Sequence, residues 1–303
     1  MLIGIWHWFD DRTGLSKTLG PILRHPIPPG VGWEYVLGSA TLVSFIIQVV
    51  TGTALATIYV SSPDQAYQSL QFITHQAVLG RLLRGMHFFG ASAMFMLIAA
   101  HWSRVYLTGS YKYPREVSWL SGILLVGCTV LMGYTGQLLR WDQNGVWSTV
   151  IAAEQAGRVP WIGNWLARFT IGGNTIGGTT LSRFFAIHVF FIPALLMGLL
   201  VLHLYLVVHN GISEPARPGH VVDPKTYRSW YENLLKRSGQ PFWPDVAWRD
   251  VVVGVFLVAL IAALAYVFGP PELGKPPDPT IVPAEPRPDW YLLWYYAVLA
   301  VIH

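Results

Sequence analysis

Two histidines, His87 and His101, stand 14 positions apart in one apolar run. On a helix that spacing is roughly 21 Å along the axis, and 14 steps end about 40° short of four full turns. Both imidazoles therefore leave one face. His188 and His203 are 15 positions apart in a second apolar run, again on nearly one face. Ionisable groups inside an apolar span are costly and usually functional. Two helices with two inward imidazoles at matching heights make two stacked pairs, and each pair can grip one haem iron from both sides. Zinc or copper would gather its ligands at one point instead. Two axial histidines leave no open position on iron, which suits electron transfer rather than oxygen binding. The single cysteine, Cys128, excludes both a disulfide framework and a covalent CxxCH site, so the expected cofactors are two non-covalent b-type haems.

Glycines share the register. Gly38 and Gly52 are 14 apart in one run, Gly122 and Gly136 in another. A glycine inside a helix costs about 1 kcal/mol against alanine, and a flat macrocycle lying on the helix needs the missing Cβ. Small-residue helix packing is the alternative for either pair alone; beside two histidine pairs, haem contact accounts better for both. Arg84 and Arg104 sit one helical turn from His87 and His101 and are placed to pair with haem propionates. For Arg104, interfacial snorkelling is the competing account.

Long apolar helices must carry these groups. Of 303 residues, 53% are hydrophobic and only 12% charged, against about 25% charged in soluble domains. Several runs pass the ~18 apolar residues of a membrane span. The fold class expected is an all-α polytopic membrane protein, a four-helix transmembrane bundle holding two stacked haems, with further C-terminal transmembrane segments. The spans are expected near residues 33–59, 80–107, 118–139, 181–209 (with a kink at Pro193) and 247–268. Residues 1–33 do not span and read as an interfacial amphipathic segment without a signal peptide. Residues 139–180 are amphipathic and too polar to cross. The loop at 61–80 lacks Lys and Arg, whereas the loop at 108–117 holds Lys112 and Arg115, and that at 210–248 holds Arg217, Lys225, Arg228, Lys236 and Arg237. The positive-inside rule then puts the N-terminus and both basic loops in the cytoplasm. Topology pairs His87 with His188 on the outer side and His101 with His203 on the inner. The net charge of +4 is small and does not suggest nucleic acid.

The run Arg84, His87, Ala91, Ser92, His101, Arg104, the glycine pairs, Trp141-Asp142-Gln143, Thr180-Leu181-Ser182-Arg183-Phe184 and Pro288-Asp289-Trp290-Tyr291 together resemble cytochrome b of the bc1 and b6f complexes. The 15-residue step and Gly211-Ile212-Ser213 resemble the b6 branch; the fifth span with its Pro-Asp-Trp-Tyr loop resembles a fused start of subunit IV. The division implied is 1–33, interfacial; 34–209, the dihaem core with surface helices; 210–246, a cytoplasmic linker; and 247–303, subunit IV-like with the start of a sixth span. The resemblance implies bifurcated quinol oxidation at an outer site, with a Rieske iron–sulfur protein and a c-type cytochrome as partners. The second electron would pass through both haems to an inner quinone site, with proton translocation. The setting implied is a bacterial cytoplasmic or equivalent energy-transducing membrane, with lipid contacts, a homodimeric complex, and a separate subunit supplying any further helices. The outer pocket would lie between residues 141–150 and the Pro288 loop. Quinol loses protons as it loses electrons, and Asp289 suits the acceptor's role, with Tyr291 positioning it or the quinol. His209 is a candidate for the inner quinone site.

Four departures from that family stand out. Asp289 replaces its Glu. Val36 stands where b6 proteins have the cysteine for an extra haem, so that haem is not expected. Arg140 replaces a proline and Gln137 an aromatic residue, and the chain stops early in the sixth span. The rival reading is a dihaem membrane anchor that relays electrons between the quinone pool and a dehydrogenase or multihaem partner. A cofactor-free bundle leaves the histidine and glycine registers unexplained.

Overall fold

The computed structural model describes residues 2–217, 219, 221–278, 280 and 286–301. Helices dominate them. Short helices α1 (Leu2–Thr13) and α2 (Leu15–Leu23) precede α3 (Leu37–Ala56), α4 (Ala66–His75), α5 (Gly80–Leu107) and α6 (Glu116–Leu138). Next come α7 (Gln143–Gly157), α8 (Gly163–Ile171), α9 (Gly178–Ala186), α10 (Ile192–Asn210), α11 (Tyr227–Ser238), α12 (Ala247–Val267) and α13 (Leu293–Val301). Five stretches are long and apolar enough to cross a membrane: α3, α5, α6, the continuous Gly178–Asn210, and Phe242–Val267. They match the five expected spans to within a few residues at each end. Many large apolar side chains on them are exposed, including Val50, Phe190, Phe191, Val255 and Phe256. That is the surface lipid would cover.

Pro193, where a kink in the fourth span is expected, follows closely on a break in the regular α pattern. Pro193 has no N–H to give the carbonyl four residues earlier. The chain resolves this just upstream, where Ile187–Phe191 form a π turn between α9 and α10. A π turn holds about one residue more than an α turn. His188 lies within that turn.

The chain forms two compact units. One comprises Met1–Ala40, Ile98–Ile123 and Leu200–Phe256. Here β1 (Pro26–Ile27) pairs antiparallel with β2 (Gln240–Pro241), over a small core of Ile27, Val31 and Val246. Arg115 is buried and organises the 210–246 stretch. Its Nε donates to the Gly211 carbonyl (2.8 Å), Nη1 to the Tyr227 hydroxyl (2.9 Å) and Nη2 to the Ile212 carbonyl (3.2 Å). The Tyr227 hydroxyl donates onward to Glu214 (2.7 Å), and the guanidinium lies 5.2 Å from the Tyr231 ring centre. Burial pushes the Tyr231 phenol up to about 12. The stretch read as a linker thus contains α11, whose Tyr227 and Tyr231, one turn apart, are both buried.

The other unit comprises Thr41–Leu97, Leu124–Leu199 and Leu257–His303. Leu138, Trp141, Leu181, Phe184 and Ala66 form one core cluster; Cys128, Ile192 and Leu196 form another. Helices α7 and α8 pack on each other. The Trp-Asp-Gln-Asn sequence pins the proline-rich segment. Asp142 caps α7 by accepting from the Gly145 amide (2.8 Å) and accepts from the Gly274 amide with its other oxygen (3.0 Å). The Gln143 side chain donates to the Asp278 carbonyl and accepts from its amide. Asn144 does the same with Arg287. Residues 279 and 281–285 of that segment lie outside the described residues.

Replacing Arg115 by Met leaves two carbonyls and two tyrosines without their shared partner. Limited proteolysis of membranes should then cut between residues 211 and 226 several-fold faster than in the parent. Unchanged protection would show that Arg115 does not hold the segment.

Candidate functional site

The four histidines meet the four glycines. A Cβ added to Gly52 would lie 3.1 Å from His87 Cε1, and one on Gly136 would lie 2.8 Å from His188 Cε1. At Gly38 it would lie 3.3 Å from His101 Cε1, and at Gly122, 3.5 Å from His203 Cε1. Helix α3 thus backs the histidines of α5, and α6 backs those of the fourth span. A side chain at Gly136 would force the His188 ring to move and one at Gly52 or Gly38 would crowd its ring, whereas at Gly122 a Cβ would only touch His203.

A second device went unread in the sequence. Thr51 Oγ1 lies 2.9 Å from His87 Nδ1, Thr135 Oγ1 3.0 Å from His188 Nδ1, and Ser121 Oγ 2.9 Å from His203 Nδ1. Each hydroxyl has one proton, and each already donates it to a carbonyl of its own helix: Ile47, Leu131 and Ser118 respectively. The hydroxyls must then accept from Nδ1–H. This fixes the tautomer and leaves each Nε2 lone pair free for a metal, the arrangement that orients metal-binding histidines. The signal was legible: all three hydroxyl residues immediately precede a glycine of the register. Position 37, before Gly38, is leucine.

His87 and His188 lie together in the second unit, with ring centres 6.4 Å apart and planes at 73°. A metal–imidazole bond is about 2 Å and the ring centre lies about 1.1 Å beyond, so two imidazoles on one ion sit about 6.3 Å apart. The separation leaves room for one metal ion between the two rings. Among the described residues no group of three or more His, Cys, Asp or Glu could hold a metal ion. His101 and His203 lie in the first unit within electrostatic range of each other.

The two arginines differ. Arg84 donates to Thr74 Oγ1 (2.8 Å) and to the Pro271 carbonyl (2.9 Å), tying α4 and the proline-rich segment to α5. Arg104 lies with its guanidinium 3.6 Å from the Tyr35 ring centre and donates to Ser110 (3.3 Å). Its buried Nε and Nη2 have no partner among the described residues. Two buried donors aimed together fit a carboxylate such as a propionate. His209 stands at the exposed end of α10 and stacks on Tyr205, 5.7 Å between centres.

The Pro-Asp-Trp-Tyr turn docks on α5 within the second unit. Tyr291 stacks on Phe95, with centres 4.0 Å apart and planes at 7°, while Trp290 Nε1 donates to Ser92 Oγ (3.2 Å). Tyr291 donates its hydroxyl to Asp289 Oδ2 (2.9 Å). Burial, and then the Asp289 carboxylate, push the phenol up, so it stays a donor. Arg140 faces the other carboxylate oxygen, with Nη1 3.7 Å from Asp289 Oδ1. Gln137 donates to Ser148 (3.0 Å) and is buried.

Known proteins share this organisation. The family profile described as Cytochrome b/b6/petB matches residues 22–211. The chain is 37% identical over 211 residues to cytochrome b6 of Rippkaea orientalis, covering 70% of this chain and 95% of that one. It is 37% identical over 211 residues to cytochrome b6 of Heliobacterium mobile, covering 69% and 99%. Among solved structures it resembles a chain of a hyperthermophilic respiratory Complex III, with a TM-score of 0.81, 27% identity, and coverage of 97% of this chain and 76% of that one. With its spans, its histidine and glycine registers and these likenesses, the chain belongs to the cytochrome b/b6 family, integral membrane proteins of electron transport.

Proposed function

We propose that this chain is the cytochrome b subunit of a quinol:cytochrome c oxidoreductase, with quinol oxidised beside the Asp289 turn. The observation that carries the reading is the docking of that turn on α5 at Ser92 and Phe95, one to two turns from His87. A simple relay anchor has no use for a carboxylate held there. The likeness to a Complex III chain over 97% of this chain supports it and extends beyond the family match at residue 211. It also supports, as our reading, residues 1–33 as interfacial, 34–209 as the dihaem core, 210–246 as a cytoplasmic connection and 247–303 as a subunit IV-like part.

His87 with His188, and His101 with His203, would hold two b-type haems, and Arg104 would take a propionate of the second. Bound there, the haems supply one-electron carriers that link an outer quinol site to an inner quinone site. The rest is the work of this chain's side chains. Tyr291 donates to one oxygen of Asp289 and so keeps the other available. That oxygen takes the quinol's proton as the quinol is oxidised. Of the two protons and two electrons that quinol gives up, Asp289 takes one proton and the other leaves to water on the outer side; one electron would pass to a Rieske iron–sulfur partner and on to a c-type cytochrome, the other towards the inner side. The hydroxyls of Thr51, Thr135 and Ser121 orient the ligands and raise their basicity. Basic loops put the N-terminus in the cytoplasm of a bacterial or equivalent membrane, and the complex is a dimer.

The reading is tested by a visible redox titration of the purified complex. Two b haems with separate potentials, and haem reduction by quinol when oxidant is added, are expected. Two haems without that response would favour a relay anchor.

Gly136→Leu should remove the haem held by His188 and spare the other. Gly127→Leu serves as control, because an added Cβ there meets nothing within 4 Å. Equal haem loss in both variants would show that the glycine register has nothing to do with the rings.

Thr135→Val should raise the potential of the same haem, because its ligand becomes less basic. A hydrogen bond of about 1 kcal/mol corresponds to roughly 40 mV for one electron. An unmoved potential would rule out Thr135 as a tuning group.

Asp289→Asn should slow quinol oxidation at least tenfold with both haems retained. Normal turnover would exclude Asp289 as the proton acceptor.

A further inference from the structure

Arg140 is the residue this site does not yet explain. The chain reverses sharply beside it, where Trp141 takes a φ of +46° although it is not glycine. Backbone held in that region is strained for a residue with a side chain, and such strain clusters at functional sites. The turn delivers a guanidinium between two carboxylates, Asp142 and Asp289. Neither is close enough for a hydrogen bond: Nε is 4.0 Å from Asp142 and Nη1 is 3.7 Å from Asp289. Asp142 is already engaged by the Gly145 and Gly274 amides, and Asp289 by the Tyr291 hydroxyl. Nε and Nη2 of Arg140 are buried and have no hydrogen-bond partner among the described residues.

A buried donor left without an acceptor is costly, and more so when it is charged. The guanidinium therefore calls for an oxygen acceptor. Its charge decides which kind. Arg140 faces Asp142 and Asp289, and the Arg84 guanidinium lies near Arg140 and Asp142, so the corner is already balanced in charge and a neutral carbonyl or hydroxyl oxygen is accepted without upsetting that balance. We propose that Arg140 docks the oxygen of the quinone substrate, donating from Nε and Nη2 to the same oxygen whose proton passes to Asp289. In quinol that oxygen bears the hydroxyl hydrogen that Asp289 receives. As the O–H bond breaks and electrons leave, the oxygen becomes a carbonyl and keeps Arg140 as donor. The substrate class is a quinone bound by one carbonyl in a polar corner beside Asp289, whose partner Tyr291 stacks on Phe95.

This rests on the proposed outer-site reading, and the experiment separates the two. In the purified complex, quinone is bound to the oxidised protein and its carbonyl stretch is read by infrared difference spectroscopy, alongside quinol kinetics, for the parent, R140L and R140K. The parent is expected to show a carbonyl band shifted to lower frequency, as a guanidinium donor requires. R140L should lose the shift and raise the quinol KM by about ten- to a hundredfold, the loss of a charged hydrogen bond, with both haem spectra and potentials retained. R140K should restore part of the shift and of the KM. An R140L complex with parental band and KM overturns the assignment while leaving the outer site standing. Loss or a shifted potential of the His87–His188 haem in both variants, with the carbonyl band intact, also overturns it, since Arg140 would then serve the haem. A parent complex in which quinol reduces no haem when oxidant is added refutes the outer-site reading, and this assignment falls with it.

Discussion

The close approach of a histidine ring to a helix without a side chain is the constraint on which the rest depends. Four times an imidazole sits against a glycine, and three times the residue just before that glycine accepts from the ring's Nδ1–H. Ring position, tautomer and the direction of the free nitrogen are set by two adjacent residues on the facing helix. In an apolar membrane interior, where water offers no substitute partner, such a bond also satisfies a group that would otherwise be costly. Packing and hydrogen bonding are therefore one arrangement here.

The histidine and glycine registers were legible because helical periodicity converts spacing into facing, and because ionisable groups are conspicuous among apolar ones. The five spans were legible for the same reason. What escaped was whatever depends on a partner distant in the chain. Arg115 reads in sequence as a basic loop residue, and only the fold shows it buried against Gly211, Ile212 and Tyr227. Arg84 and Arg104 look equivalent beside their histidines, yet Arg84 is bonded to Thr74 and Pro271, whereas Arg104 keeps two buried donors open. The three hydroxyls were missed although their position before each glycine was visible. Serine and threonine are so common in membrane helices that their type alone carries little information.

The segment after the third span shows how a surface sequence becomes a scaffold. Asp142, Gln143 and Asn144 each spend a side chain on the backbone of the proline-rich segment. Proline-rich backbone has few donors of its own, so these amides and carboxylates supply its missing partners. The turn carrying Asp289 is thereby attached to the cap of α7 at one end and to α5 at the other.

The π turn at Ile187–Phe191 has a consequence for how such a helix can change over time. A single inserted residue in a regular helix would rotate everything beyond it by about 100°. Stored as a π turn, the insertion is absorbed locally and the downstream faces keep their phase. The π turn is a length buffer: a residue gained or lost there need not turn the face that carries His203.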